Sequence, residues 1–232
     1  MRENAVDTIS SNELGNVGDT KEKIYHVLKR MIMKREFTPN ERLDAYEIAN
    51  KLGVSRTPVR DALNMLDGEG FIKTMPRKGT FVAGIYRDDL VQIFQYREMI
   101  ELFCLDSGFS NLVQAVPAFE QIIDNWDREI QKKEYEGSII MESDVQIHKL
   151  IVQSAGNPRI VKSYESLNCH VQTARGYYLQ DRERIDASQA EHKAILHAIV
   201  HNDKDLASRM LKEHLNQTLN SLIRMIDVFK VF

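Results

Sequence analysis

Asp144 and His148 stand four residues apart in a segment with helical periodicity, so both side chains leave one face of one helix. Ile151 and Val152, one turn further on, mark that face as inward. His192 continues a core stripe with Ile195, Leu196 and Ile199 at offsets of three, four and seven. His214 lies on a third helical segment, preceded by Leu211 and followed by Leu215 and Thr218. Taken singly, each histidine fits a core imidazole bonded to a carbonyl or a carboxylate. Taken together, one carboxylate and three imidazoles from three inward faces are the donor set of a divalent cation held inside a helical bundle. Such a set could belong to a metal-dependent enzyme, or the ion could only stiffen the bundle; no general base or nucleophile stands beside it in the sequence. His197 and His201 share a face offset from the core stripe and are expected in solvent, as is His26, while His170 is left without a role.

A second constellation spans residues 47–72. Ile48, Ala49 and Leu52 give a short helix one apolar face, Gly53 allows a tight turn, and Ser55 can cap a following helix with its hydroxyl. Val59, Ala62, Leu63 and Leu66 form the buried stripe of that second helix. Arg56, Thr57 and Arg60 lie off the stripe in its first two turns, where side chains could meet phosphates and base edges of a major groove. Pro58 is tolerated there because a first-turn residue has no intrahelical partner for an N–H. Two β-prone runs follow, Phe71 to Thr74 and Gly79 to Val82, joined by Met75-Pro76-Arg77-Lys78. A basic hairpin after a helix-turn-helix reads as a wing. Charge agrees with this division: residues 20–86 carry 13 Lys/Arg against 8 Asp/Glu, whereas residues 87–232 carry 17 against 22.

Leu-Gly-Val-Ser-Arg-Thr-Pro-Val-Arg-Asp-Ala-Leu, then Glu-Gly-Phe-Ile and Arg-Lys-Gly-Thr-Phe-Val, resembles the winged-helix domain of GntR-family bacterial transcription regulators from about Lys21 to Val82. The resemblance implies that Arg56 and Arg60 contact operator DNA and that Arg77, Lys78 and Gly79 enter the minor groove. Some members carry a further DNA-contacting arginine where this chain has Tyr46. The segments Asp144-Val-Gln-Ile-His148, Ser188-Gln-Ala-Glu-His192-Lys-Ala-Ile-Leu-His-Ala-Ile and Met210-Leu-Lys-Glu-His214-Leu are similar to the FCD ligand domain of the FadR-type branch. That likeness implies a divalent ion on Asp144, His148, His192 and His214, zinc first with nickel or manganese as alternatives, helping to hold a small carboxylate metabolite. Ile147 stands where an aromatic residue is frequent. Arg97 matches an arginine that faces the effector pocket, and Arg175 is a second cationic candidate.

The elements needed to position these residues can be read from the same chain. Residues 1–19 are polar and aperiodic, a flexible tail; residues 20–83 are expected to form a winged helix-turn-helix of three helices and a β-hairpin, its first helix spanning about Thr20 to Arg35. Residues 84–232, after a short connector from Ala83 to Tyr86, read as an all-α bundle of about six helices for effector binding and dimerisation. Those helices fall at 87–108, 115–133, 137–154, 157–180, 187–202 and 203–230. The hydrophobic content of 43% and charged content of 28% are those of a globular protein. No long apolar run or signal pattern is present, so a cytoplasmic protein without a membrane partner is expected. Cys104 and Cys169 lack paired spacing and read as small buried hydrophobes. The fold is therefore expected to be mainly α, and the protein a non-enzymatic regulator: a repressor that binds a palindromic operator as a homodimer and answers to a carboxylate at a metal site.

Overall fold

The computed structural model describes residues 20–33, 36–84, 86–165 and 182–229. Cys169, His170, Arg175 and the tail lie outside the described residues. The chain divides into two compact units, the second running from Arg87 to Phe229.

In the first unit, helix α1 (Thr20–Met33) buries Ile24, Val27, Leu28, Met31 and Ile32, the stripe its periodicity predicts. Helix α2 (Ala45–Leu52) is capped by Asp44, whose carboxylate accepts the Tyr46 N–H. It ends at Gly53, where φ is 65° and the Gly53 and Val54 N–H groups close back onto the carbonyls of Asn50 and Ala49. This paired closure needs a left-handed residue, which glycine adopts without steric cost. Helix α3 (Arg56–Gly68) then buries Val59, Ala62, Leu63 and Leu66. Ser55 holds the capping position in extended backbone, yet its hydroxyl makes no capping bond. Of the two amides a cap can accept from, the one at the third helical position is missing because that residue is Pro58.

The wing is a hairpin of β2 (Ile72–Met75) and β3 (Gly79–Val82), paired from Ile72 with Val82 to Met75 with Gly79. A third strand, β1 (Arg42–Leu43), joins β3 on its other edge and makes the sheet order β1-β3-β2. Two residues are too few to show alternation, so β1 left no sequence signal. Asp67 of α3 ties the wing to the helix by accepting the Thr74 N–H at 2.9 Å, and Glu69, at the end of α3, accepts from Tyr25 and Lys29 of α1 at 2.6 and 2.8 Å.

The described residues of the second unit form seven helices: α4 (Arg87–Ser107), α5 (Phe109–Gln114), α6 (Val116–Ile130), α7 (Gly137–Ser154), α8 (Pro158–Glu165), α9 (Arg182–Val200) and α10 (Lys204–Phe229). Six answer to the expected segments, the one expected at 157–180 being described only as far as Glu165, with 166–180 outside the described residues. The short α5, flanked by Gly108 and Pro117, is under two turns and too brief for a periodic signal. Helix α10 packs on α9 and α4, and α7 packs on α4 and α6, so α4, α7, α9 and α10 share one interior. Leu90, Phe119, Trp126, Ile147, Ile151, Ile195 and Leu211 are fully buried there, as is Cys104. No helix of the described residues is long and apolar enough to cross a membrane.

Candidate functional site

Helix α7 carries Asp144 and His148 on one inward face, α9 brings His192 from a core position, and α10 brings His214. All four are buried, and one donor atom from each lies within 4.8 Å of the others. The Nε2 atoms of His148 and His214 are 3.2 Å apart; Asp144 Oδ1 lies 3.6 Å from His192 Nε2 and 3.9 Å from His148 Nε2. A tetrahedral ion at ~2.0–2.2 Å from nitrogen and oxygen donors separates those donors by about 3.3–3.6 Å, so these three contacts come close to the span around a zinc-sized cation, while the set as a whole, within 4.8 Å, would draw in by about 1 Å on binding.

The rings are oriented by groups behind them. His148 Nδ1 bonds Glu101 Oε2 at 2.6 Å, and His214 Nδ1 bonds Glu191 Oε2 at 2.7 Å. When both Nδ1–H groups are given to carboxylates, the two Nε2 atoms are left facing one another, an arrangement a cation between them would satisfy. Arg184 clamps Glu191 through both terminal nitrogens at 2.7 and 2.9 Å and also donates to Thr218 at 3.0 Å. Burial alone would raise the Glu191 pKa, but the hydrogen bonds from His214 and Arg184 outweigh it and hold the carboxyl down to about 2. Glu101 is fully buried and also accepts from Arg97 Nε at 2.8 Å and from the Tyr164 hydroxyl at 2.6 Å.

Arg97 is almost fully buried, and its Nη1 and Nη2 have no hydrogen-bond partner among the described residues. Burial works against its charge, yet the pull of Glu101, then Tyr164 and Asp144, raises its pKa further. Asp144 is thus near enough for its charge to act on Arg97. His197, His201 and His26 are exposed, as their positions predict.

Sequence reasoning missed Glu101, Glu191, Arg184 and Tyr164. A signal existed for the first: Leu90, Phe94, Arg97, Glu101 and Cys104 form one buried heptad stripe, in which two charged residues stand at core positions. Glu191 and Arg184 are seven residues apart on α9, so they fall on one face, but neither breaks an apolar stripe. Tyr164 reaches Glu101 across 63 positions of sequence, which no local pattern records.

In the first unit, Arg56, Thr57 and Arg60 are exposed on the first turns of α3, and Arg77 and Lys78 are exposed at the wing turn. The Arg56 guanidinium lies over the Tyr46 ring, 4.8 Å from its centroid. Arg77 has φ 63° and Gly79 φ 119°, a left-handed backbone that calls for glycine at 79; a Cβ there would stand 3.0 Å from Arg42 Nε, an exposed side chain able to move aside.

Comparison with known proteins places both units. The family described as bacterial regulatory proteins, gntR family, matches residues 20–82, and the FCD domain family matches residues 92–217. An HTH-type transcriptional regulator from an unstable DNA locus of Streptomyces ambofaciens is 27% identical over 87% of this chain and 84% of its own length. The transcriptional repressor RspR of Escherichia coli K12 is 24% identical over 92% and 93%. E. coli McbR/YncC shares the fold with a TM-score of 0.70 at 19% identity, covering 90% of this chain and 99% of that one. The Zn2+-bound FCD domain of TM0439 is 26% identical with a TM-score of 0.51, over 61% of this chain and 96% of that one, and the buried Asp/His cluster resembles its metal site. The chain belongs to the GntR family of bacterial DNA-binding transcription regulators, in the FadR-type branch that carries an FCD domain.

Proposed function

We propose that this regulator is a metabolite-controlled repressor that acts in the cytoplasm as a homodimer on a palindromic operator. The observation that carries the sensory half is the facing pair of Nε2 atoms, 3.2 Å apart, with Asp144 and His192 beside them and carboxylates behind both rings. Asp144, His148, His192 and His214 would hold a divalent ion, zinc before nickel or manganese, because three imidazoles and one carboxylate suit borderline cations. The ion when bound would supply a Lewis-acidic position for a second oxygen group of the effector, apart from the carboxylate held at Arg97. Arg97, with two buried nitrogens that have no partner among the described residues, would receive the effector's carboxylate as a fork. Glu101 and Glu191 keep the histidine rings turned so that Nε2 faces the ion.

On the DNA side, Arg56 and Arg60 would meet the major groove with Thr57, and Arg77, Lys78 and Gly79 the minor groove. The Tyr46 ring replaces a charged contact and steadies Arg56 by stacking. An effector that binds better to one arrangement of the dimer shifts the population of the DNA-competent one. The test joins three measurements: elemental analysis and mass spectrometry of the purified protein, light scattering, and anisotropy with an operator selected from a random pool. Arg60→Ala should weaken operator binding by about 1–3 kcal/mol if the residue reads a base. Unchanged affinity would sink the recognition assignment, a monomer with and without DNA would sink the palindrome, and absence of any divalent ion would sink the metal.

A further inference from the structure

The two oxygens of Glu101 face different partners. Oε2 serves the His148 ring at 2.6 Å, whereas Oε1 serves Arg97 Nε at 2.8 Å and the Tyr164 hydroxyl at 2.6 Å. One buried carboxylate therefore touches a ring of the Asp/His cluster and the guanidinium beside it. Only Nε of Arg97 is bonded; its two terminal nitrogens are buried with no partner among the described residues. The guanidinium rests over the Phe94 ring, 5.0 Å from its centroid, so its free edge has a fixed direction. A buried donor left unbonded is costly, more so when charged, and this edge matches the two oxygens of a carboxylate.

We propose that Glu101 couples cation binding at the Asp/His cluster to carboxylate binding at Arg97, so that each strengthens the other. This rests on the metal and effector roles proposed above. The coupling follows from the sharing of one negative charge. When Nε2 of His148 is given to a cation, the Nδ1–H becomes a stronger donor and draws the charge of Glu101 toward Oε2. Arg97 is then less neutralised, and its free edge attracts an anion more strongly. In the other direction, a carboxylate on that edge takes up part of the Arg97 charge and leaves more of Glu101 for His148, which makes Nε2 a better donor to a cation. Tyr164 bonds the same oxygen as Arg97 and keeps the carboxylate from rotating away. The two effects must be equal in size by linkage.

Zinc affinity of the full chain, measured by competition with a chelator, tests this when repeated with acetate raised until its effect levels off. In the wild type, acetate should tighten zinc about fivefold or more, the lower end of couplings between sites. Glu101→Gln has one acceptor oxygen where two are needed, so it should still bind zinc, about tenfold or more weaker, and the acetate effect should vanish. Arg97→Gln leaves the His148 contact in place and frees Glu101 for it, so it should bind zinc more tightly than the wild type without acetate while losing the acetate effect, which covers the case of an unfolded Glu101→Gln. An acetate effect of wild-type size in either variant, as direct ligation of the ion would give, overturns the coupling. So does a wild type that binds zinc with no response to acetate. A wild type that binds no zinc at all instead overturns the metal reading itself.

Discussion

Gly108 sits at the corner between α4 and α5, against the last turn of α7. A Cβ there would stand 2.3 Å from the Ser154 carbonyl carbon and 2.5 Å from its Oγ. Carbon contacts settle at about 3.5–4.0 Å, so Gly108→Ala must drive the α4–α5 corner and α7 apart by more than ~1 Å. Two hydrogen bonds cross this joint, Ser154 Oγ to the Cys104 carbonyl at 3.1 Å and Asn111 Nδ2 to the Ser154 carbonyl at 2.8 Å. Their loss at ~1 kcal/mol each, with overpacking of ~1–3 kcal/mol, gives an expected destabilisation of about 3–5 kcal/mol. Trp126, the one tryptophan of the chain, is fully buried in α6, so a urea titration followed by its fluorescence reports this unit. The same variant should weaken metal binding, because α4 carries Glu101 and α7 carries His148, now 2.6 Å apart. A loss below about 1 kcal/mol at unchanged urea slope would show that the contact yields freely and refute the reasoning.

Two further outcomes follow from the site. His192→Ala should lower the bound divalent metal measured by elemental analysis, whereas His197→Ala, an exposed position, should leave it unchanged; equal metal content in both would contradict the cluster as the metal site. The Glu191 carboxyl is held at about 2 against an ordinary 4.5, so its ionised form favours the fold; that contribution is complete above 4.5 and is lost as pH falls from 4.5 towards 2. Wild type should therefore lose more stability than Glu191→Gln across that window, by urea titration at several pH values, and parallel losses would count against the hold of His214 and Arg184 on this carboxylate.

The architecture was legible because local patterns carry it. The stripe of α1, the Gly53 turn, and the shared face of Asp144 and His148 depend on residues within a few positions of each other, and the geometry of a helix turns such spacing into direction. The inward position of His192 followed in the same way from Ile195 and Ile199. Local chemistry also misled once: Ser55 has the residue type and the backbone of a cap, but Pro58 removes a donor it needs.

Along the chain, periodicity sorts the apolar stripes and puts Arg56 and Arg60 outside them, whereas Arg184 is buried without any such signal. Only the tertiary structure decided how the inward groups meet. Glu101 and His148 lie 47 positions apart, and Tyr164 and Glu101 lie 63 apart; helix packing brings them to hydrogen-bond distance. Helix packing also decides that Nε2 of His148 and of His214 faces the cluster, leaves the terminal nitrogens of Arg97 without a partner among the described residues, and sets Ser154 of α7 so close to Gly108 that a Cβ there would clash. Direction along one helix is a property of spacing, whereas separation between atoms on different helices is set by how side-chain volumes fill the space between them.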